Sequence, residues 1–210
     1  MRAVPWAVAS ALAFWAPSAG AQERGRAATV SLLEGSAQVR RGPGAPQDLR
    51  QGSSVRQGDV VETGDDSRLE LKLPDASALR IGPRARVALT AVDRGRAGAQ
   101  LSVKVFSGNV WASAAGRDRG FQIETQNAVA SARSTTFRVD AHEDRSVLVR
   151  AYSGAVSVER KPAWEKRVGK QMQILISADG TPGIPTPFSE ADEKDDGWAA
   201  WNRKRDGQGK

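Results

Sequence analysis

The chain has 210 residues, a formal charge of +7 at neutral pH, a single histidine and no cysteine. The missing cysteine excludes a disulfide framework and thiolate or Cys-based zinc chemistry, so an apolar core alone must hold the fold. The basic residues are interspersed with 24 acidic ones and form no block, which describes a solvated surface and not a polyanion-binding one.

Residues 1–21, MRAVPWAVASALAFWAPSAGA, combine one positive charge at Arg2, an apolar run from Trp6 to Ala16 and an Ala19-Gly20-Ala21 ending. This is the layout of a cleaved secretory leader, and the run is shorter than the roughly 20 residues that cross a bilayer. The expected mature protein is exported to the periplasm without a membrane span, and nucleic acid is not an expected partner.

Residues 27–178 read as one all-β domain. In RLELKL, Leu69, Leu71 and Leu73 alternate with Arg68, Glu70 and Lys72; in QLSVKV, Leu101, Val103 and Val105 do the same. Period-two alternation is the pattern of strands with one apolar face. Similar short stretches, from ATVSLLEG to QMQILIS, are separated by turn segments such as TGDDS and LPDAS. Three of them share a corner-like pattern around Gly35, Gly108 and Gly154, where an apolar residue precedes the glycine by two places and a strand resumes after it. Glycine reaches backbone conformations that other residues adopt at a cost, so these are expected strand-turn-strand corners of a short β-roll or sandwich.

Candidate chemistry is sparse. His142 lies among Asp140, Glu143 and Asp144 in an evident turn, a solvated setting and not a metal site. There is no G-x-S-x-G, no Ser-x-x-Lys and no phosphate-cradling glycine loop. In ARSTTFRVD (132–140), Ser134 has no base in sequence reach, and alternation puts Thr135, Phe137 and Val139 on one face against Ser134, Thr136 and Arg138 on the other. No cofactor, metal or catalytic residue is expected.

The order of segments from about residue 30 to 160 resembles the FecR domain, the periplasmic part of iron-transport regulators and related exported proteins. The family's G-D-x-V-x-T-G segment corresponds to Gly58, Asp59, Val61, Thr63 and Gly64. Its L-x-D-G-S turn corresponds to Leu73, Asp75 and Ser77, and its G-x-V to Gly108 and Val110. The f-x-v-x-T segment falls on Phe121, Ile123 and Thr125, and the G-T-x-F-x-V strand on Thr135, Phe137 and Val139. The chain departs from the pattern at Ala76 and Ser134, where the family has glycine, and at Gln126, where it has proline. If the family's glycines adopt positive φ, Ala76 and Ser134 must either bend differently or carry strain of about 1 kcal/mol or more. The resemblance implies a non-enzymatic module working by protein–protein contact in signal transduction. It does not imply a complete anti-sigma regulator, because a leader stands where those proteins carry a cytoplasmic helical segment.

Residues 179–188 hold three prolines within TPGIPTPF and read as an extended linker. Residues 189–210 form a charged tail, either one helix capped at Ser189 or two short turns separated by Gly197, with Trp198 and Trp201 on one side. Two roles are open for it: a lid docked on the β body, or a handle for an envelope protein with Trp198, Trp201, Arg203 and Arg205 as contact residues. An alternative for the whole protein is a cell-wall glycan-binding module, with Trp111, Trp164 and the tail tryptophans stacking on sugar rings. An envelope hydrolase ranks below both.

Overall fold

The computed structural model describes residues 27–73, 76–95, 98–114 and 120–208. The leader and Asp75 lie outside the described residues.

Strand β1 (Ala27–Glu34) lies in sheet I, and at Gly35 the chain crosses into sheet II as β2 (Ala37–Arg41), which pairs with the two-residue β3 (Gln47–Asp48). Strand β4 (Ser54–Arg56) returns to pair with β1, and β5 (Asp59–Thr63) pairs with β2. The hairpin β6 (Arg68–Lys72) and β7 (Ala78–Ile81) follows in sheet I, then β8 (Arg86–Gly95) in sheet II. The long β9 (Gly98–Ser113) pairs with β8 in sheet II through its first half and with β7 in sheet I through its second.

Hairpins then alternate again. Strands β10 (Gly120–Glu124) and β11 (Val129–Arg133) lie in sheet II, β12 (Thr136–Ala141) and β13 (Val147–Ala151) in sheet I, and β14 (Ala155–Arg160) and β15 (Trp164–Gly169) in sheet II. Sheet I finishes with β16 (Met172–Ile176) and the short β17 (Thr186–Pro187). Among the described residues, sheet I runs β4-β1-β6-β7-β9-β12-β13-β16-β17 and sheet II runs β3-β2-β5-β8-β9-β10-β11-β14-β15. Among the described strands only β9 and β10 pair in parallel, with Gly120 at the start of β10 opposite Gln100 near the start of β9.

The apolar positions of each strand point between the two sheets. Leu69, Leu71, Leu79, Ile81, Val110, Phe137, Val139, Val149 and Ile174 from sheet I meet Val61, Val87, Leu89, Val103, Ile123, Val156 and Val158 from sheet II, all buried. This is the all-β fold expected from alternation, with a short helical tail.

The glycine pattern marks where the chain changes sheet. Gly35, Gly108 and Gly154 have φ of 78°, 87° and 62°. A Cβ on Gly108 would lie 2.5 Å from Cα of Ala85, and one on Gly154 would lie 2.5 Å from Oγ1 of Thr135. These glycines therefore supply both the left-handed backbone and the close approach of neighbouring corners. The register puts the Gly35, Gly64, Arg84 and Gly108 corners at one end of the roll and the Ser134, Gly154 and Gln171 corners at the other. The chain changes ends between β9 and β10, which is why the glycine spacings are irregular.

Both substituted family glycines keep the strained geometry: Ala76 has φ of 67° and Ser134 of 50°. The chain takes the strain instead of bending differently.

Candidate functional site: the charged row of sheet I and its C-terminal cover

The outer face of sheet I carries a lateral row set by strand register. Glu70 pairs with Arg80, Arg80 with Trp111, Trp111 with Arg138, Arg138 with Arg150, and Arg150 with Gln173. Each occupies the polar phase of its strand, opposite the core, so alternation predicts a solvated row. The row is instead largely buried: Glu70 is 1% exposed, Arg80 4%, Trp111 1% and Arg138 7%. The cover is the chain's own C-terminal segment.

That segment contains a 3-10 turn, Glu190–Glu193, and helix α1 (Gly197–Gln208). Asp192 accepts hydrogen bonds from the backbone N–H and hydroxyl of Ser189, closing the first turn. Asp196 accepts the backbone N–H groups of Trp198 and Ala199, which makes it the N-cap of α1 and explains why Gly197 starts the helix instead of breaking it. The helix then runs across the strands from Asp196 at Arg138 of β12 to Arg205 at Glu70 of β6.

Three tail carboxylates meet the cations of the row. Glu193 lies 3.3 Å from Arg150, is 2.7 Å from Arg203 of α1 and accepts the Tyr152 hydroxyl at 2.6 Å. Arg138 is bound on one side by Asp140, at 2.7 Å, and on the other by Asp196. Asp206 takes Arg80 at 2.6 Å and the Trp111 indole N–H at 3.0 Å. In the opposite sense, Arg205 of α1 reaches Glu70 at 2.9 Å, where Arg80 and the Ser31 hydroxyl also donate. Aromatic contacts line the seam: Trp111 stacks on Tyr152 at 4.1 Å, Phe188 meets Tyr152 edge-on at 5.3 Å, and Trp198 stacks on Trp201 at 5.3 Å.

Charge states follow from this geometry. Burial pushes the Glu70 carboxyl up, but the hydrogen bonds from Arg205, Ser31 and Arg80 outweigh it and hold the group at about 2. Burial opposes charge on Arg138, yet Asp140 and Asp196 keep it more firmly protonated than an ordinary arginine. Burial, then the neighbouring Glu193 carboxylate, raises the Tyr152 hydroxyl well above the usual tyrosine range.

The sequence-derived site residues fall into two groups. Trp198 is buried in the seam, Trp201 is half-buried with its indole N–H on Glu34, Arg203 pairs with Glu193, and Arg205 with Glu70. The family-motif residues sit at turns and corners. Gly58 takes φ of 88° in the β4–β5 turn, and buried Asp59 accepts the backbone N–H of Arg56 there. The Thr63 hydroxyl donates to the Gly82 carbonyl at 2.6 Å and accepts from the Ala85 N–H at 2.9 Å, tying two corners together, while the Gly64 N–H donates to the Ser36 carbonyl. Thr135 donates to the Arg133 carbonyl at 2.8 Å beside Gly154, and Phe137 fills the core against Phe121. The two groups do not form one site.

Sequence reasoning missed Glu70, Arg80, Arg138, Arg150, Tyr152, Glu193 and Asp206 as a set. The only signal was a charged residue between two apolar ones, Glu70 in LELK, Arg80 in ALRI and Arg138 in TFRVD, which a solvated outer face produces equally well. The tryptophans considered for sugar stacking are otherwise engaged. Trp111 is covered by Tyr152, and the Trp164 indole N–H donates to the Gly180 carbonyl. Trp198 Nε1 is buried without a hydrogen-bond partner among the described residues, a cost of about 1–3 kcal/mol. A cleft of about 440 Å³ remains along the seam, lined by residues including Tyr152, Phe188, Gln171, Ser189 and Arg203.

The segment from Asp59 to Ser157 matches the family model described as FecR protein, residues 59–157. This segment is a FecR domain. Its boundaries take in β5 to β14, including the Arg80, Trp111, Arg138 and Arg150 positions of the row, while the covering segment lies beyond the match. The fold is also similar to a candidate anti-sigma factor from Parabacteroides distasonis ATCC 8503, solved in two crystal structures. The TM-scores are 0.53 and 0.51 at 16% identity, over 61% of this chain and 59% of that one. No curated protein matches the chain. Among the described residues, no helix is long and apolar enough to cross a membrane.

Proposed function

We propose that this is a non-enzymatic, periplasmic FecR-domain protein that acts as a protein-binding module in signal transduction at the cell envelope. The FecR match supports a regulatory class, and the leader-like residues 1–21 support export. One observation carries the binding part: the outer face of sheet I holds a protein segment through three carboxylates, each on an arginine of the row, and an arginine on Glu70. Charges closed on one another in this way recognise shape and sequence. The anti-sigma description of the structural neighbour fits the same class of role.

The test uses the full chain in its native envelope with photo-crosslinking side chains at Leu175 and Ile184, which are 52% and 85% exposed. Repeated crosslinks to the same envelope proteins support the reading. Crosslinks to wall glycan alone, or none above background, overturn it.

A further inference from the structure

We propose that the C-terminal segment docks between copies as well as within one, giving a reciprocal dimer in which residues 189–208 of each chain lie on sheet I of the other. This rests on the protein-binding reading and names the partner as a second copy of the chain.

Three observations carry it. The recognition is complete within two elements, the row on the body and the carboxylates and arginine of the tail, so a second copy presents every group the site needs. The connection between them is short of internal structure. Residues 177–181 are tied to their own body, where Asn127, Arg160 and Trp164 donate to the carbonyls of Ala178, Asp179 and Gly180, so a crossing starts after them. Residues 182–188 contain Pro182, Pro185 and Pro187 and are fastened by the two-residue β17 pairing, an Ile176–Pro182 bridge, the N–H groups of Gly183 and Phe188, and the Phe188 ring on Tyr152. Proline keeps such a segment extended, the conformation that a crossing between copies needs. Finally, Leu175 beside this connection and Ile184 within it are large apolar side chains, 52% and 85% exposed among the described residues. In a two-fold exchange, the two connections run past one another and these side chains meet.

Mass action sets the balance. A tail tethered to its own body acts at an effective concentration of about millimolar, so dilute chains close on themselves and exchange grows with concentration or when the internal contact is weakened. That dependence allows a decisive design. Glu70→Arg in one chain and Arg205→Glu in another each place like charges at the same contact, so either alone loses its internal docking. Mixed together, they restore opposite charges at both contacts only if the tails change places.

Each purified full-length variant should stay monomeric by light scattering while its α1 amides exchange quickly. The equimolar mixture, at about 100 μM, should give a species of twice the mass with slow α1 exchange. The pair Arg80→Asp and Asp206→Arg repeats the design and decides the matter if the first pair loses its β-sheet circular dichroism. Mixtures of folded variants that stay monomeric overturn the proposal, as do single variants whose α1 amides remain protected. A monomeric mixture alongside specific envelope crosslinks would remove the second copy and leave the protein-binding reading standing.

Discussion

Replacing Glu70 with Gln should destabilise the protein by an amount that depends on pH in a calculable way. In the folded chain the Glu70 carboxyl is held at about 2, against 4.5 for the unperturbed group. A lowered folded value means that ionised Glu70 stabilises the fold above the unfolded value, and that this contribution is lost as pH falls from 4.5 towards 2. Each unit is worth about 1.4 kcal/mol, so the contribution is about 3 kcal/mol at pH 7 and about 1 kcal/mol at pH 3. The side chain is 2% exposed, so solvent screening does not reduce it much. Glutamine keeps the shape and resembles the protonated acid, and Arg80 retains Asp206 as a partner. The assay is urea unfolding of wild type and Glu70→Gln at pH 7, 5 and 3, taking the difference at each pH so that other titrating groups cancel. A cost below about 1 kcal/mol at pH 7, or one equal at pH 3 and pH 7, would refute the claim that Glu70 is a buried anion held by the tail and its neighbours.

Tyr152 is the only tyrosine, so tyrosinate absorbance reports it alone. It should stay protonated in the folded protein well past the ordinary value of about 10, with stability falling as pH rises above that value, and Glu193→Gln should bring its titration down. Ala76→Gly should raise stability by about 0.5–1 kcal/mol, seen as a higher Tm, because Ala76 is exposed and held at φ of 67°. Gly108→Ala should lower stability by about 2 kcal/mol or more, since positive φ and a Cβ 2.5 Å from Ala85 act together; Gly52→Ala, with φ of 88° but open space, should cost about 1 kcal/mol. Phe137→Ala should cost about 3–5 kcal/mol in urea unfolding, because the ring is fully buried in the core.

Local pattern was enough to specify the β architecture. Alternation along RLELKL and TTFRVD assigns Leu69, Leu71, Phe137 and Val139 to the core, because side chains leave a strand on opposite faces whatever the strand pairs with. The glycines at 35, 108 and 154 marked sheet-changing corners for a similarly local reason: positive φ is a property of one residue's backbone. The same reasoning raised the question of strain at Ala76 and Ser134, and the observed φ values answer it.

Alternation could not say what happens to the polar phase. It separates Arg138 from Phe137, but a solvated arginine and one buried between Asp140 and Asp196 have the same sequence signature. The difference depends on contacts spanning up to 135 residues, from Glu70 to Arg205, and those exist only once the register across sheet I has lined up the row. The sequence by itself therefore determined the strands, the corners and the chemistry available in the tail, all of which are local. Only the tertiary structure decided that Glu193, Asp196 and Asp206 lie against Arg150, Arg138 and Arg80, because strand order and helix placement are set by the packing of the whole core.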